Sequence, residues 1–288
     1  MKRIEIAVLW VMLLVMPALA GSKEVKQGPE LKVSEEALTE SLDEHGLERL
    51  GDFGRFHLFG YGELHYNNNI GSSADEFDFH RFVIGVGFDF TDKILLRSEL
   101  DFEHAFKEPE LEFAYLDFLI NEAINVRAGS IIVPMGVLNQ LHEPPTFNGV
   151  ERPALYTQII PTTWMEAGAG IHGRLPWGFD YQLYGMSSLT AVTLNTAGTA
   201  VSSSFNGSNG LRGGRFKVGN APGRDMAIVG RLQNTGVPGL RLGSSFFAGN
   251  TGQGRTGVGG AFLTVLEGDA KYSLEGIDLE GLVAFSTL

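Results

Sequence analysis

Serine, histidine and acidic side chains are scattered along these 288 residues, so any chemistry must come from spacing. His57, Glu63 and His65 share one parity of an alternating segment, which suggests metal ligation. Residues two apart on a strand stand about 7 Å from each other, so Glu63 and His65 reach one ion only with help from another strand. His142-Glu143 lacks the second histidine of a helical zinc motif. Ser187 or Ser188 could pair with His172 as an activated nucleophile, but no Gly-x-Ser-x-Gly elbow accompanies them. The glycine-rich run 252–260 precedes a strand pattern rather than a helix and so is no phosphate cradle. Cysteine is absent, which excludes disulfides, thiolate metal sites and cysteine nucleophiles. These residues lead us to expect no catalytic group, no metal and no cofactor.

The charged residues share something else, which is alternation. Between 93 and 106, Ile94, Leu96, Leu100 and Phe102 occupy one parity and Arg97, Glu99, Asp101 and Glu103 the other. In 81–90, Phe82, Ile84, Val86, Phe88 and Phe90 oppose Arg81, Val83, Gly85, Gly87 and Asp89. The pattern returns in 261–272 and 277–285. A strand sends successive side chains to opposite faces, so each such segment has one apolar and one wet face. The wet parity offers Arg81, Arg97, Glu99, Asp101, Glu103, Asp117, Arg127, Glu166, His172 and Arg174. Charged side chains on such a face can set ion selectivity without any covalent step.

About eleven strands of roughly ten residues each are expected, a length suited to a tilted membrane crossing. They lie near 54–66, 77–91, 93–106, 110–121, 124–133, 163–175, 178–188, 224–234, 238–248, 260–273 and 275–286. Tight connections near 91–93, 121–123, 176–178, 235–238 and 274–276 alternate with long ones at 67–76, 133–162, 189–223 and 249–259. The short connection 107–110 is the one lapse. Short turns at one end and long loops at the other are the mark of an all-β, antiparallel transmembrane β-barrel. Tyr61, Tyr66, Phe106, Tyr115, Trp164, Trp177, Tyr181 and Tyr272 lie near strand ends, where interfacial girdles would sit.

Composition agrees with that class. Glycine numbers 38 and phenylalanine 20, against 7 tyrosines and 3 tryptophans, and the mean hydropathy is +0.03. The net charge of −12 argues against nucleic acid as a partner, since phosphate backbones are held by lysine and arginine in excess. Lys2 and Arg3, the apolar run 6–16 and Ala18-Leu19-Ala20 read as a cleavable signal peptide over 1–20. Residues 21–52 form a polar leader with spaced leucines (Leu38 and Leu42, Leu47 and Leu50) that suggest a short helix. The barrel is expected over 53–288.

The stretch 125–174 resembles the phosphate-selective porin O and P family of bacterial outer membranes. The resemblance is carried by Val126-Arg127-Ala128-Gly129-Ser130-Ile131-Ile132-Val133-Pro134-Met135-Gly136, by Val150-Glu151-Arg152-Pro153 and by Ile159-Ile160-Pro161-Thr162-Thr163-Trp164-Met165-Glu166. Asn209-Gly210-Leu211-Arg212-Gly213-Gly214-Arg215 is similar to a loop of the same family. The resemblance implies a trimeric barrel of sixteen strands that passes small solutes, anions such as phosphate among them, through the outer membrane. With about eleven strands and no terminal aromatic residue, this chain is expected to be incomplete at its C-terminus. The resemblance also implies that loop 133–162 turns into the lumen, making Asn139, Gln140, His142, Glu143, Glu151 and Arg152 constriction groups.

Phosphate preference would need a ladder of basic groups, whereas Arg97 shares its parity with Glu99, Asp101 and Glu103. A preference for cations, or weak selectivity, is expected at least as much. The function expected is passive diffusion of small charged solutes, with membrane lipid, ions and two further copies of the chain as partners. A barrel hydrolase of lipase or esterase type and a non-conducting structural barrel are the alternatives.

Overall fold

The alternation of apolar and charged residues has its outcome in one antiparallel sheet. The computed structural model describes residues 9–10, 49–53, 55–68, 75–143, 159–161, 163–195, 200–255, 258, 261–274 and 277–288. Eleven long strands fall where the alternation places them. They are β3 (Phe56–Asn67), β4 (Glu76–Thr91), β5 (Ile94–Glu103), β6 (Glu108–Leu119), β7 (Asn125–Ile132), β8 (Met165–Leu175) and β9 (Phe179–Ser187), then β12 (Met226–Val237), β13 (Leu240–Asn250), β14 (Phe262–Leu274) and β15 (Ile277–Thr287). Each pairs antiparallel with the next. A separate two-stranded hairpin, β10 (Val192–Leu194) with β11 (Ala200–Ser203), lies in the connection between β9 and β12.

Two short segments, β1 (Leu9–Trp10) and β2 (Arg49–Phe53), pair with the outer edge of β3. At the expected start of the barrel, pairing thus begins at Arg49 rather than Phe53, and the end of the leader, including Leu50, is strand where helix was expected. The rest of the leader and of the signal peptide lies outside the described residues. Among the described residues β15 pairs only with β14, so the sheet is not closed on itself.

The two faces are inverted relative to a soluble sheet. Leu232, Leu266 and Phe285 are 47%, 53% and 66% exposed on one face. On the other, Glu99, Asp101 and Arg231 are buried. That arrangement suits apolar surroundings outside and polar contents within, consistent with an outer-membrane location. No helix among the described residues is long and apolar enough to cross a membrane, which leaves crossing by strands untouched.

The inner face is covered by its own connections. After β7 the chain turns inward as Val133, Pro134, Met135 and Gly136, followed by a single helical turn, Val137–Gln140. The Gly136 N–H donates to Ser245 Oγ on β13, and Gln140 Nε2 to Gln182 on β9. Two and three residues on, His142 and Glu143 reach β5 and β4. One segment thus spans strands far apart in the sheet order, and Ile131, Met135, Trp164, Tyr184 and Phe247 form an apolar core around it.

Candidate functional site

Where the inward segment meets β4, β5 and β6, it closes over a group of buried charges. Arg81 on β4 faces Asp101 at 3.5 Å and Glu103 at 3.0 Å on β5, and Glu143 at 3.9 Å on the segment. His142 Nε2 lies 3.1 Å from Glu143, 3.2 Å from Glu99 and 3.4 Å from Glu112. One imidazole nitrogen carries at most one hydrogen, so these three carboxylates share a single donor. Burial alone would push the Glu143 carboxyl up, but the adjacent His142 charge and hydrogen bond, together with Arg81, bring it down to about 2. Lys217, from the β9–β12 connection, pairs with Glu110, and burial draws its ammonium below the ordinary value.

Two β-bulges build this site. On β6 the register skips Glu112, so Leu111 faces out opposite Leu100 while Phe113 faces in opposite Glu99. The extra residue, Glu112, is thereby turned inward and buried. On β4 the register skips His80, so that Asp78 shares the inner face with Arg81.

The other predicted wall residues form matched pairs on the same face. Arg127 grips Asp117 with two bonds of 2.8 and 2.7 Å while its guanidinium lies 3.9 Å over the Tyr115 ring. His172 reaches the same carboxylate at 3.1 Å. Arg97 pairs with Asp89 at 2.9 Å, not with the acidic residues of its own strand. Glu166 accepts bonds from Ser187 Oγ and Trp164 Nε1. Arg174 meets Asp180 at the rim and is 68% exposed. Beyond the segment, on the short-turn side, a cavity of about 490 Å³ is lined by Gln140, His172, Arg174, Asp180, Arg231 and Arg241 among others.

Two candidate groupings weighed in the sequence do not form, and two girdle assignments need correction. The nucleophile pair is not assembled: Ser187 donates to Glu166, and His172 binds Asp117. His57 pairs with Asp89 and His65 with Glu63, so His57, Glu63 and His65 do not converge. Tyr115 and Trp164 are not girdle residues but buried core, since Tyr115 shares the inward parity of Asp117. Trp177, Phe106, Tyr66 and Tyr272 do lie exposed. Asn139 is buried and holds backbone: its Nδ2 donates to the carbonyls of Val133 and Trp164, and its Oδ1 accepts from the Trp164 N–H. Glu151 and Arg152 lie outside the described residues.

Sequence reading missed Glu112, hidden by its bulge, and the group Arg231, Glu267 and Asp269. In that group Arg231 Nη1 stands 2.7 Å from Asp269 and 3.4 Å from Glu267. The alternation of β14 signalled both acids. Among the described residues, two sets of donors could hold a metal ion: the buried Glu99, Glu112 and His142, and the half-buried Asp78, His80 and His104.

Fold and inner face together define a class, an all-β antiparallel wall with one charged and one apolar face. No family model matches the chain. An uncharacterized protein of Aquifex aeolicus (strain VF5) is 36% identical over 196 residues, which is 65% of this chain and 43% of that one. The chain therefore spans less than half the length of that curated relative. Among solved structures it is similar to Pseudomonas aeruginosa OccK11 (OpdR), with a TM-score of 0.40 and 15% identity, over 84% of this chain and 64% of the other.

Proposed function

We propose that the chain forms the wall of an outer-membrane β-barrel through which small charged solutes diffuse passively, with cations favoured. The observation that carries this reading is the inverted sheet, with apolar side chains exposed outside and carboxylates in excess on the inner face. No covalent step or cofactor is required: width, the inward segment and fixed charge do the selecting. Closure of the sheet into a barrel, assembly as a homotrimer in membrane lipid, and kinship with the phosphate-selective porins belong to the same proposal.

Cation preference follows from how the guanidinium groups are occupied. Arg81 faces Asp101, Glu103 and Glu143; Arg97 faces Asp89; Arg127 faces Asp117; Arg231 faces Asp269 and Glu267. An entering anion meets charges already neutralised, while an entering cation meets surplus carboxylates around His142. The test is the full chain refolded in detergent and added to a planar lipid bilayer under a salt gradient. Stepwise conductance with a reversal potential of cationic sign is expected. Silence from verified folded protein would overturn the channel, and an anionic sign would overturn the preference.

A further inference from the structure

We propose that Asp78, His80 and His104 form a binding site for a divalent transition-metal ion of zinc type, at the long-loop end of the inner face. The three donors come from two places in the chain and meet at one atom. Asp78 Oδ2 lies 3.2 Å from His80 Nδ1 and 2.8 Å from His104 Nδ1. A tetrahedral zinc ion with bonds near 2.0–2.1 Å spaces its ligands by about 3.3 Å, so small side-chain adjustments admit an ion among them. Two imidazoles and one carboxylate leave the fourth position to water, and imidazole donors favour zinc, copper or nickel over magnesium or calcium.

The backbone is bent to make this meeting possible. Asp78 and His80 share a face by strand alternation, and His80 is the residue skipped by the β4–β3 register, where the chain is bent. His104 opens the β5–β6 turn, where His104, Ala105 and Phe106 are three successive non-glycine residues with φ of 50°, 55° and 68°. L-residues avoid that left-handed region, and local strain of this kind gathers at functional positions. The turn is held against β4 by the His104 N–H to the His80 carbonyl and the Ala105 N–H to the Phe79 carbonyl. His65, itself bonded to Glu63, stacks on the His80 ring with centroids 4.4 Å apart and fixes its orientation. An orienting neighbour around a ligating histidine is a usual part of a metal site.

The site is accessible, since the side chains of His80, Asp78 and His104 are 32%, 17% and 37% exposed. The buried set Glu99, Glu112 and His142 differs on each count: it has one imidazole, it lies beneath the inward segment, and Arg81 already supplies positive charge beside it.

Isothermal titration of the folded full chain with ZnCl2 at pH 7.5, against MgCl2 and CaCl2, tests the proposal. One zinc per chain is expected, with no response to the other two ions. His80→Ala and His104→Ala should each weaken binding at least tenfold, while His142→Ala and His172→Ala leave it unchanged. Heat-dependent mobility on gels checks that each variant is folded, and its midpoint should rise with zinc only where Asp78, His80 and His104 are intact. Cobalt substitution gives an independent readout, since absorption in the visible distinguishes a four-coordinate site. Absence of zinc binding to folded wild-type protein would overturn the proposal, as would loss of binding in His142→Ala with retention in His80→Ala.

Discussion

Arg81 on β4 and Glu143 on the inward segment stand 3.9 Å apart, and with the contacts of His142 to Glu99 and Glu112 that pair ties the segment to this part of the wall. The same guanidinium also holds Asp101 and Glu103 on the neighbouring strand. Arg81 is thus shared between the sheet and the chain folded across it.

Removing that guanidinium should be costly. Arg81→Met keeps the length of the side chain and takes the guanidinium away from Asp101, Glu103 and Glu143. Breaking a buried ion pair from one side costs about 3–5 kcal/mol, most of it the penalty on the charge left behind. A lowered midpoint in denaturant titration is expected, and Asp101→Asn in the same background should recover part of it. A midpoint equal to that of wild type would mean the cluster is solvated.

Acid should release the segment in a defined window. The folded Glu143 carboxyl titrates near 2, below its ordinary 4.5. A depressed carboxyl contributes stability that is fully present above the unfolded value and is lost as pH falls through the folded one. Docking should therefore hold at neutral pH and weaken progressively from about 4.5 down to about 2. In a variant carrying Trp10→Phe and Trp177→Phe, the Trp164 emission should stay constant to about pH 4.5 and then shift to the red. Glu143→Gln should remove that pH dependence.

The strands were legible because their alternation is strong, and their observed ends differ from the expected ones by only a few residues. The bulges were legible only in part. Apolar parity runs through Phe77 and Phe79 and then through Phe82 and Ile84, a one-residue slip that marks the bulge at His80. At Glu112 the slip separates Leu111 from Phe113, and both are apolar, so alternation cannot reveal that the second one points inward. The partners of Arg97 were misjudged for another reason. The residue opposite Arg97 is Gly87, whose missing side chain leaves the guanidinium room to lie across it and reach the diagonal neighbour Asp89.

Glycine content was visible from the start, but which glycines matter depends on register. Gly129 has φ of 142°, and a Cβ there would lie 2.4 Å from the Ala114 carbonyl oxygen. Gly129→Ala should cost about 1–3 kcal/mol, since backbone strain and contact with the adjacent strand add together. Gly207, around which a Cβ would meet nothing within 4 Å, is the control, and Gly207→Ala should leave the unfolding midpoint in place. Equal midpoints for the two variants would contradict the β6–β7 register.

Asn139 offers the sharpest separation of constriction from wall, because all its bonds go to the backbone of the inward segment and its return. Val133 and Trp164 are paired directly, the Val133 N–H donating to the Trp164 carbonyl at 2.8 Å. Asn139 completes that short ladder with bonds of 2.7, 3.1 and 2.8 Å. Asn139→Ala leaves the buried Trp164 N–H without its acceptor, at about 1–3 kcal/mol, while the Trp164 and Val133 carbonyls keep the N–H groups of Val133 and Met135. The wall strands keep their own hydrogen bonds, so the cost should fall on the segment. Limited proteolysis of folded protein should then cut within 133–143 in the variant and not in wild type, while the denaturant midpoint of the sheet shifts little. Resistance of the variant to proteolysis would show that Gly136, Gln140 and Glu143 hold the segment without Asn139.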